Sequence, residues 1–140
     1  MAVHASVIDM IGNTPMVDVS ALSTNPNVRI LAKMEGQNPA GSVKDRIAKA
    51  MILEAEDVGT LKPGSTIIEP SSGNTGIALA AIARIKGYPI KILLPENVSI
   101  ARRQMLSVFG AEIILTPGAE GSNGAVRGAE ALAAAHPEWC

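Results

Sequence analysis

The sequence predicts an α/β fold, a parallel sheet with helices on both faces. Three observations carry this: short branched apolar runs, helix-length amphipathic stretches between them, and a spacing of about 25 residues from one strand–helix unit to the next. Runs at Val28–Met34, Thr66–Ile68, Ile90–Leu94 and Glu112–Leu115, each closed by turn residues, read as buried strands. The first helix is expected over Ser42–Val58, where Ile47, Met51, Ala55 and Val58 share one face that should meet the core. Ser42 followed by Asp45 reads as a capping box, and Gly59 as the stop. The second helix, Thr75 to about Lys86, is apolar nearly all round and should be central and buried. A third runs Ser99–Phe109 before Gly110, and a fourth about Ser122–His136 before Pro137.

Composition narrows the function classes. A chain of 140 residues is about one domain and long enough to bury a core without disulfides or a structural metal. The single cysteine, Cys140, has no internal partner, which favours a reducing, intracellular home. Twelve basic against thirteen acidic residues give a net charge of −1 with no polybasic run, which argues against nucleic acid and anionic membrane as partners. The longest strictly apolar stretch, Ile77–Ala83, is too short to span a bilayer, and the opening residues lack the cationic and apolar regions of a secretory signal. Charged residues make up only 18%, below the roughly 25% of a soluble domain, so part of the surface is expected to be covered by more chain or a second subunit. His4 and His136 read as solvated, Met16, Met34, Met51 and Met105 as core filler, and no cluster has metal-ligand spacing.

Parallel sheets bind ligands at the carboxyl ends of their strands, so chemistry is sought in the loops there. Asn38-Pro-Ala-Gly-Ser-Val-Lys-Asp-Arg46 delivers Lys44 into the first turn of a helix. A cation there faces the positive end of the helix dipole, and lysine is a nucleophile only as the free amine. A solvated surface lysine, with Asp45 and Arg46 on an exposed helix face, is the competing reading. Glu69-Pro-Ser-Ser-Gly-Asn-Thr-Gly76 surrounds Gly73 with the short polar side chains Ser71, Ser72, Asn74 and Thr75 at the mouth of the most apolar helix. Helix N–H groups open into the same space, which makes an anion site. It lacks the Gly-Lys-Ser/Thr ending of a nucleotide loop and the glycine spacing of a dinucleotide loop, so a small carboxylate fits better than a phosphate chain. A merely well-capped helix is the alternative.

These two blocks, in this order and about 30 residues apart, resemble the cysteine synthases (O-acetylserine sulfhydrylases), fold-type II pyridoxal phosphate enzymes related to cystathionine β-synthase. Ile11-Gly-Asn-Thr-Pro15, Lys62-Pro-Gly64, Leu94-Pro-Glu96 and Phe109-Gly-Ala-Glu112 extend the likeness along the chain. The resemblance implies pyridoxal 5'-phosphate as cofactor, with Lys44 forming the Schiff base and carrying the Cα proton. It implies that Asn74 meets the cofactor ring hydroxyl and that Ser71, Ser72, Gly73, Asn74 and Thr75 grip the substrate α-carboxylate. The implied reaction makes L-cysteine from O-acetylserine and sulfide, in the cytoplasm, in a homodimer.

Departures from the family are few until the end. Serine stands at 71 where threonine is usual, Ala101 replaces a glutamate before Arg102 and Arg103, which read as a solvated face, and Ser122 and Asn123 replace methionine and lysine. Family members are about twice as long, so the chain is expected to be an N-terminal part, inactive alone. Residues 1–41 would then belong to the larger domain and 42–140 to the smaller one. A cystathionine β-synthase-like condensation of serine with homocysteine and a non-catalytic binding module are the alternatives.

Overall fold

The computed structural model describes residues 3–140; Met1 and Ala2, which open the stretch searched above for a signal, lie outside it. Among the described residues five strands and four α-helices follow in the order β1 (Met16–Asp18), β2 (Leu31–Lys33), α1 (Lys44–Asp57), β3 (Ile67–Glu69), α2 (Asn74–Lys86), β4 (Ile90–Pro95), α3 (Ile100–Val108), β5 (Glu112–Thr116) and α4 (Gly121–Ala135), with short 3-10 turns before and between them. The strands β3, β4 and β5 form a parallel sheet in that order, Ile67 opposite Ile90 and Ile92 opposite Ile113. Cys140 adds to the β3 edge, its N–H donating to the Thr66 carbonyl (2.9 Å) and its carbonyl accepting from Ile68 N–H (2.8 Å).

Helices cover both faces, and β4 shows why. Successive side chains of a strand point to opposite faces. Ile90, Ile92 and Leu94 accordingly enter the larger core, with Ala48 and Ile52 of α1, Leu79 and Ile82 of α2 and Leu106 of α3. Leu93 points the other way, onto Ala125 and Ala129 of α4 with Ile68 and Ile114. α2 is the central helix, burying Gly76, Ala78, Leu79, Ala80, Ile82 and Ala83 as its composition predicts.

Several expectations need correction. The run at Val28–Met34 yields only three strand residues, and these pair antiparallel with β1, which its sequence did not reveal, instead of joining the parallel sheet. Three residues give no usable periodicity, and both strands of this hairpin are largely exposed. On α1 most of the expected inward face is the outer one: Ile47, Met51 and Val58 are exposed and only Ala55 packs against the core, whereas Asp45, Ala48 and Ile52 are buried. Ala48 is small enough to let α1 sit closely on the alanine-rich α2, and close axis approach selects the stripe with the smaller side chains. The methionines read as core filler, Met16, Met34, Met51 and Met105, are all exposed in this structure. His136 is partly buried and stacks on Trp139, ring centres 3.9 Å apart. Arg103 is not a free surface cation, because its guanidinium donates to the Val98 carbonyl (3.1 Å) and to that of Glu96.

Among the described residues no helix is long and apolar enough to cross a membrane, and no three His, Cys, Asp or Glu side chains group as metal ligands.

Candidate active site

The carboxylate loop is shaped by one glycine. At the end of β3 the chain turns, Ser71 N–H donating to the Glu69 carbonyl (3.1 Å), and α2 starts at Asn74. A Cβ on Gly76 would lie 2.7 Å from the Ser71 carbonyl oxygen, so only glycine lets the turn fold back over the helix start. The Ser71 hydroxyl accepts the Gly76 N–H (3.0 Å). This modifies the expected role of Ser71, whose oxygen caps α2 with one lone pair while its proton stays available to an anionic ligand. The N–H groups of Ser72, Gly73, Asn74 and Thr75 find no partner among the described residues, nor do the side chains of Ser72, Asn74 and Thr75. Ser71, Ser72, Gly73 and Thr75 are half-buried and Asn74 is exposed. Beneath them, burial pushes the Glu69 carboxyl pKa up.

Lys44 is the first residue of α1. The expected capping box does not form in reciprocal fashion. Ser42 Oγ accepts the Lys44 N–H (3.1 Å), but the Asp45 carboxylate accepts from the Ser42 hydroxyl (3.4 Å) and the Ala40 N–H (2.6 Å) instead of the Ser42 N–H. Asp45 is fully buried there, and Arg46 is bound to Glu35, so neither is the exposed helix-face charge that sequence allowed. The Lys44 ammonium itself makes no hydrogen bond or ion pair among the described residues and is half-buried.

The two loops open toward the same end of the molecule. At the far end Lys86, the last residue of α2, donates to Glu56 in the last turn of α1 (2.7 and 3.0 Å), and Tyr88 Oη donates to the same carboxylate (2.8 Å). Those donors hold the Glu56 pKa below its usual range. Between the ends, Ala48 and Ile52 pack in one core with Ala78 and Ile82. With their C-termini tied and their bodies packed, α1 and α2 run in the same direction. Their N-termini, with Lys44 and Asn74, therefore lie toward the carboxyl end of the parallel strands. The loops after β4 and β5 reach that end too, joined by the Gly118 N–H on Glu96 Oε1 (3.0 Å).

Sequence reasoning missed Glu35, Thr14 and Asn38, which converge on Arg46 and the Lys44 loop. Their partners are 3 to 32 residues apart with no repeating interval, so no periodicity announces them.

Residues 7–140 match the sequence profile of the pyridoxal-phosphate dependent enzymes. The chain belongs to that family. Within it, a cysteine synthase of a Flavobacterium species is 48% identical over 132 residues, which are 94% of this chain and 43% of the relative. Among solved structures, a hydrogen sulfide-producing enzyme from Fusobacterium nucleatum superposes with a TM-score of 0.92 at 43% identity, covering 100% of this chain and 45% of that one. An O-acetylserine dependent cystathionine β-synthase from Helicobacter pylori superposes with a TM-score of 0.90 at 38% identity, covering 99% and 46%. The chain thus spans less than half the length of these family members.

The residues present fit the family's cofactor. An amine without an ionic partner among the described residues, at a helix start, is available for covalent attachment, and the N–H groups of Ser72 to Thr75 at the same end of the fold are without partners there.

Proposed function

We propose that this chain supplies the amine and the carboxylate cradle of a β-replacement enzyme, in which sulfide displaces acetate from O-acetylserine to give L-cysteine. The single observation that supports the reading most strongly is that unpaired Lys44 and the unpartnered N–H groups at the start of α2 face the same end of the fold. Lys44 and Asn74 are the residues that would hold pyridoxal phosphate. When bound, that cofactor supplies a sink for the electron pair left on Cα.

The N–H groups of Ser72 to Thr75, with the Ser71 hydroxyl proton, bind the substrate α-carboxylate at the positive end of α2. That anchor orients the amino acid so that its Cα proton faces Lys44. Lys44 takes this proton as general base and later returns it, while acetate leaves Cβ with the C–O electron pair and sulfide forms the new C–S bond. In the same reading residues 1–41, with the exposed β1–β2 hairpin, belong to a larger second domain, residues 42–140 form the smaller domain, and the whole protein is a cytoplasmic homodimer.

The test is borohydride reduction after incubation with pyridoxal 5'-phosphate, followed by peptide mass spectrometry. A pyridoxyl group is expected on Lys44 and is expected to vanish in Lys44→Ala. Label spread evenly over the lysines, or absent from Lys44, refutes the assignment. Offering sulfide or homocysteine to the full-length enzyme with O-acetylserine then separates cysteine formation from the condensation named in the Helicobacter pylori relative.

A further inference from the structure

The geometry points to Glu35 as a positioning residue that fixes Lys44 from both sides, through the loop before it and the helix turn after it. The inference rests on the reading of Lys44 just given, but its mechanical part does not depend on the cofactor.

The Glu35 carboxylate receives four hydrogen bonds. Arg46 supplies two, Nε to Oε2 at 2.8 Å and Nη2 to Oε1 at 2.9 Å, a fork that fixes direction as well as distance. Thr14 Oγ1 donates to Oε1 at 2.7 Å and Asn38 Nδ2 to Oε2 at 2.9 Å. Arg46 lies two residues beyond Lys44, in the first turn of α1, so the fork pins that turn. Asn38, only 3% exposed, also donates from Nδ2 to the Ser42 carbonyl (3.0 Å) and accepts the Gly12 N–H on Oδ1 (2.9 Å). Ser42 in turn accepts the Lys44 N–H. A continuous run of contacts therefore leads from Glu35 through Asn38 and Ser42 to the Lys44 backbone, and a second leads through Arg46. The Ile11–Pro15 segment closes the cluster from above. Gly12 has φ +97°, and a Cβ there would approach Arg46 Nη1 to 3.1 Å, so this backbone is shaped to seat the guanidinium.

The cluster does not touch the carboxylate loop, and Glu35 makes none of its hydrogen bonds to Lys44 itself. Its effect on the amine is thus indirect, and a readout confined to overall stability would not reveal it. Amide hydrogen exchange of the full chain provides one that does. In Glu35→Gln, exchange at Lys44 and Gly41 is expected to rise roughly tenfold, the loss of about one charge-assisted hydrogen bond, while amides of α2 keep their rates. Arg46→Lys, which keeps the charge but loses the fork, is expected to act in the same direction and serves if Glu35→Gln does not fold. Glu56→Gln breaks an ion pair of the same kind at the opposite ends of the helices and is expected to leave Lys44 exchange unchanged.

Pyridoxal 5'-phosphate with borohydride gives the chemical counterpart, a roughly tenfold fall in the Lys44 share of total pyridoxyl label in Glu35→Gln but not in Glu56→Gln. Unchanged Lys44 exchange in Glu35→Gln and Arg46→Lys, or an equal rise in Glu56→Gln, overturns the inference. Absence of Lys44 label from the unsubstituted protein, with the exchange pattern as expected, instead overturns the cofactor reading and leaves the positioning established.

Discussion

Replacing Gly76 by alanine tests the architecture of the carboxylate loop with a single methyl group. The new Cβ would sit 2.7 Å from the Ser71 carbonyl oxygen and 3.2 Å from Ser71 Cβ, where ordinary contact begins near 3.4 Å. A displacement of about 0.7 Å is needed, and the obstructing atom is a backbone oxygen of a residue held by the Ser71 N–H to Glu69 bond. Overpacking of this kind costs about 1–3 kcal/mol. Weakening the Gly76 N–H to Ser71 Oγ bond adds about 0.5–1.5 kcal/mol. The better helix propensity of alanine returns at most about 1 kcal/mol. The net is a loss of about 2 kcal/mol, or roughly 5–10 °C in melting temperature for a chain of this size. Gly73→Ala is the internal control. Gly73 has φ −115° and open space at its Cβ position, so its melting temperature should stay within about 2 °C of the parent. Differential scanning calorimetry on the two variants decides the matter. A Gly76→Ala protein as stable as the parent, or a Gly73→Ala protein equally destabilised, would refute the claim that close approach of backbone dictates glycine at 76.

Two further outcomes are expected. Ile92→Ala empties a fully buried site in the central strand and should cost about 2–5 kcal/mol in urea unfolding with the m-value unchanged; a loss under about 1 kcal/mol contradicts the placement of β4 at the heart of the larger core. Glu35 has its carboxyl held down to about 2 from an unfolded value near 4.5, first by the Arg46 hydrogen bonds and then by Thr14. Its stabilisation is therefore complete above about pH 4.5 and lost as pH falls toward 2; in acid titrations of stability Glu35→Gln should flatten that part of the curve, and an unaltered slope counts against the cluster.

Much of the scaffold was legible because it depends on local pattern. β4 and β5 are branched runs between turn residues, and α2 is apolar nearly all round because most of its length, Gly76 to Ala83, is packed in the core. The loop at Ser71–Gly76 was readable for the same reason, a polar turn feeding a buried helix. What failed was what depends on a partner. α1 carries two apolar stripes, Ile47–Met51–Val58 and Ala48–Ile52, with Ala55 on the border between them, and nothing within the helix says which of them meets α2. Asp45 looked like a surface charge because its acceptor role is to the Ala40 N–H behind it, and Arg46 because Glu35 lies 11 residues away on another turn. β1 is three residues long and acquires its identity only by pairing with β2. At the site, residue types in the two loops were readable, whereas the cap that occupies the Ser71 oxygen and the frame around Lys44 required coordinates.

The alternation along β4 has a bearing on how this lineage can tolerate insertions and deletions. Ile92 and Leu93 feed different layers, so losing or gaining one codon within Ile90–Pro95 would not shorten or lengthen the sheet by a notch but turn its interior outward. Viable changes of length are confined to the connecting turns, such as the exposed stretch around Asn25, where an added residue inverts nothing.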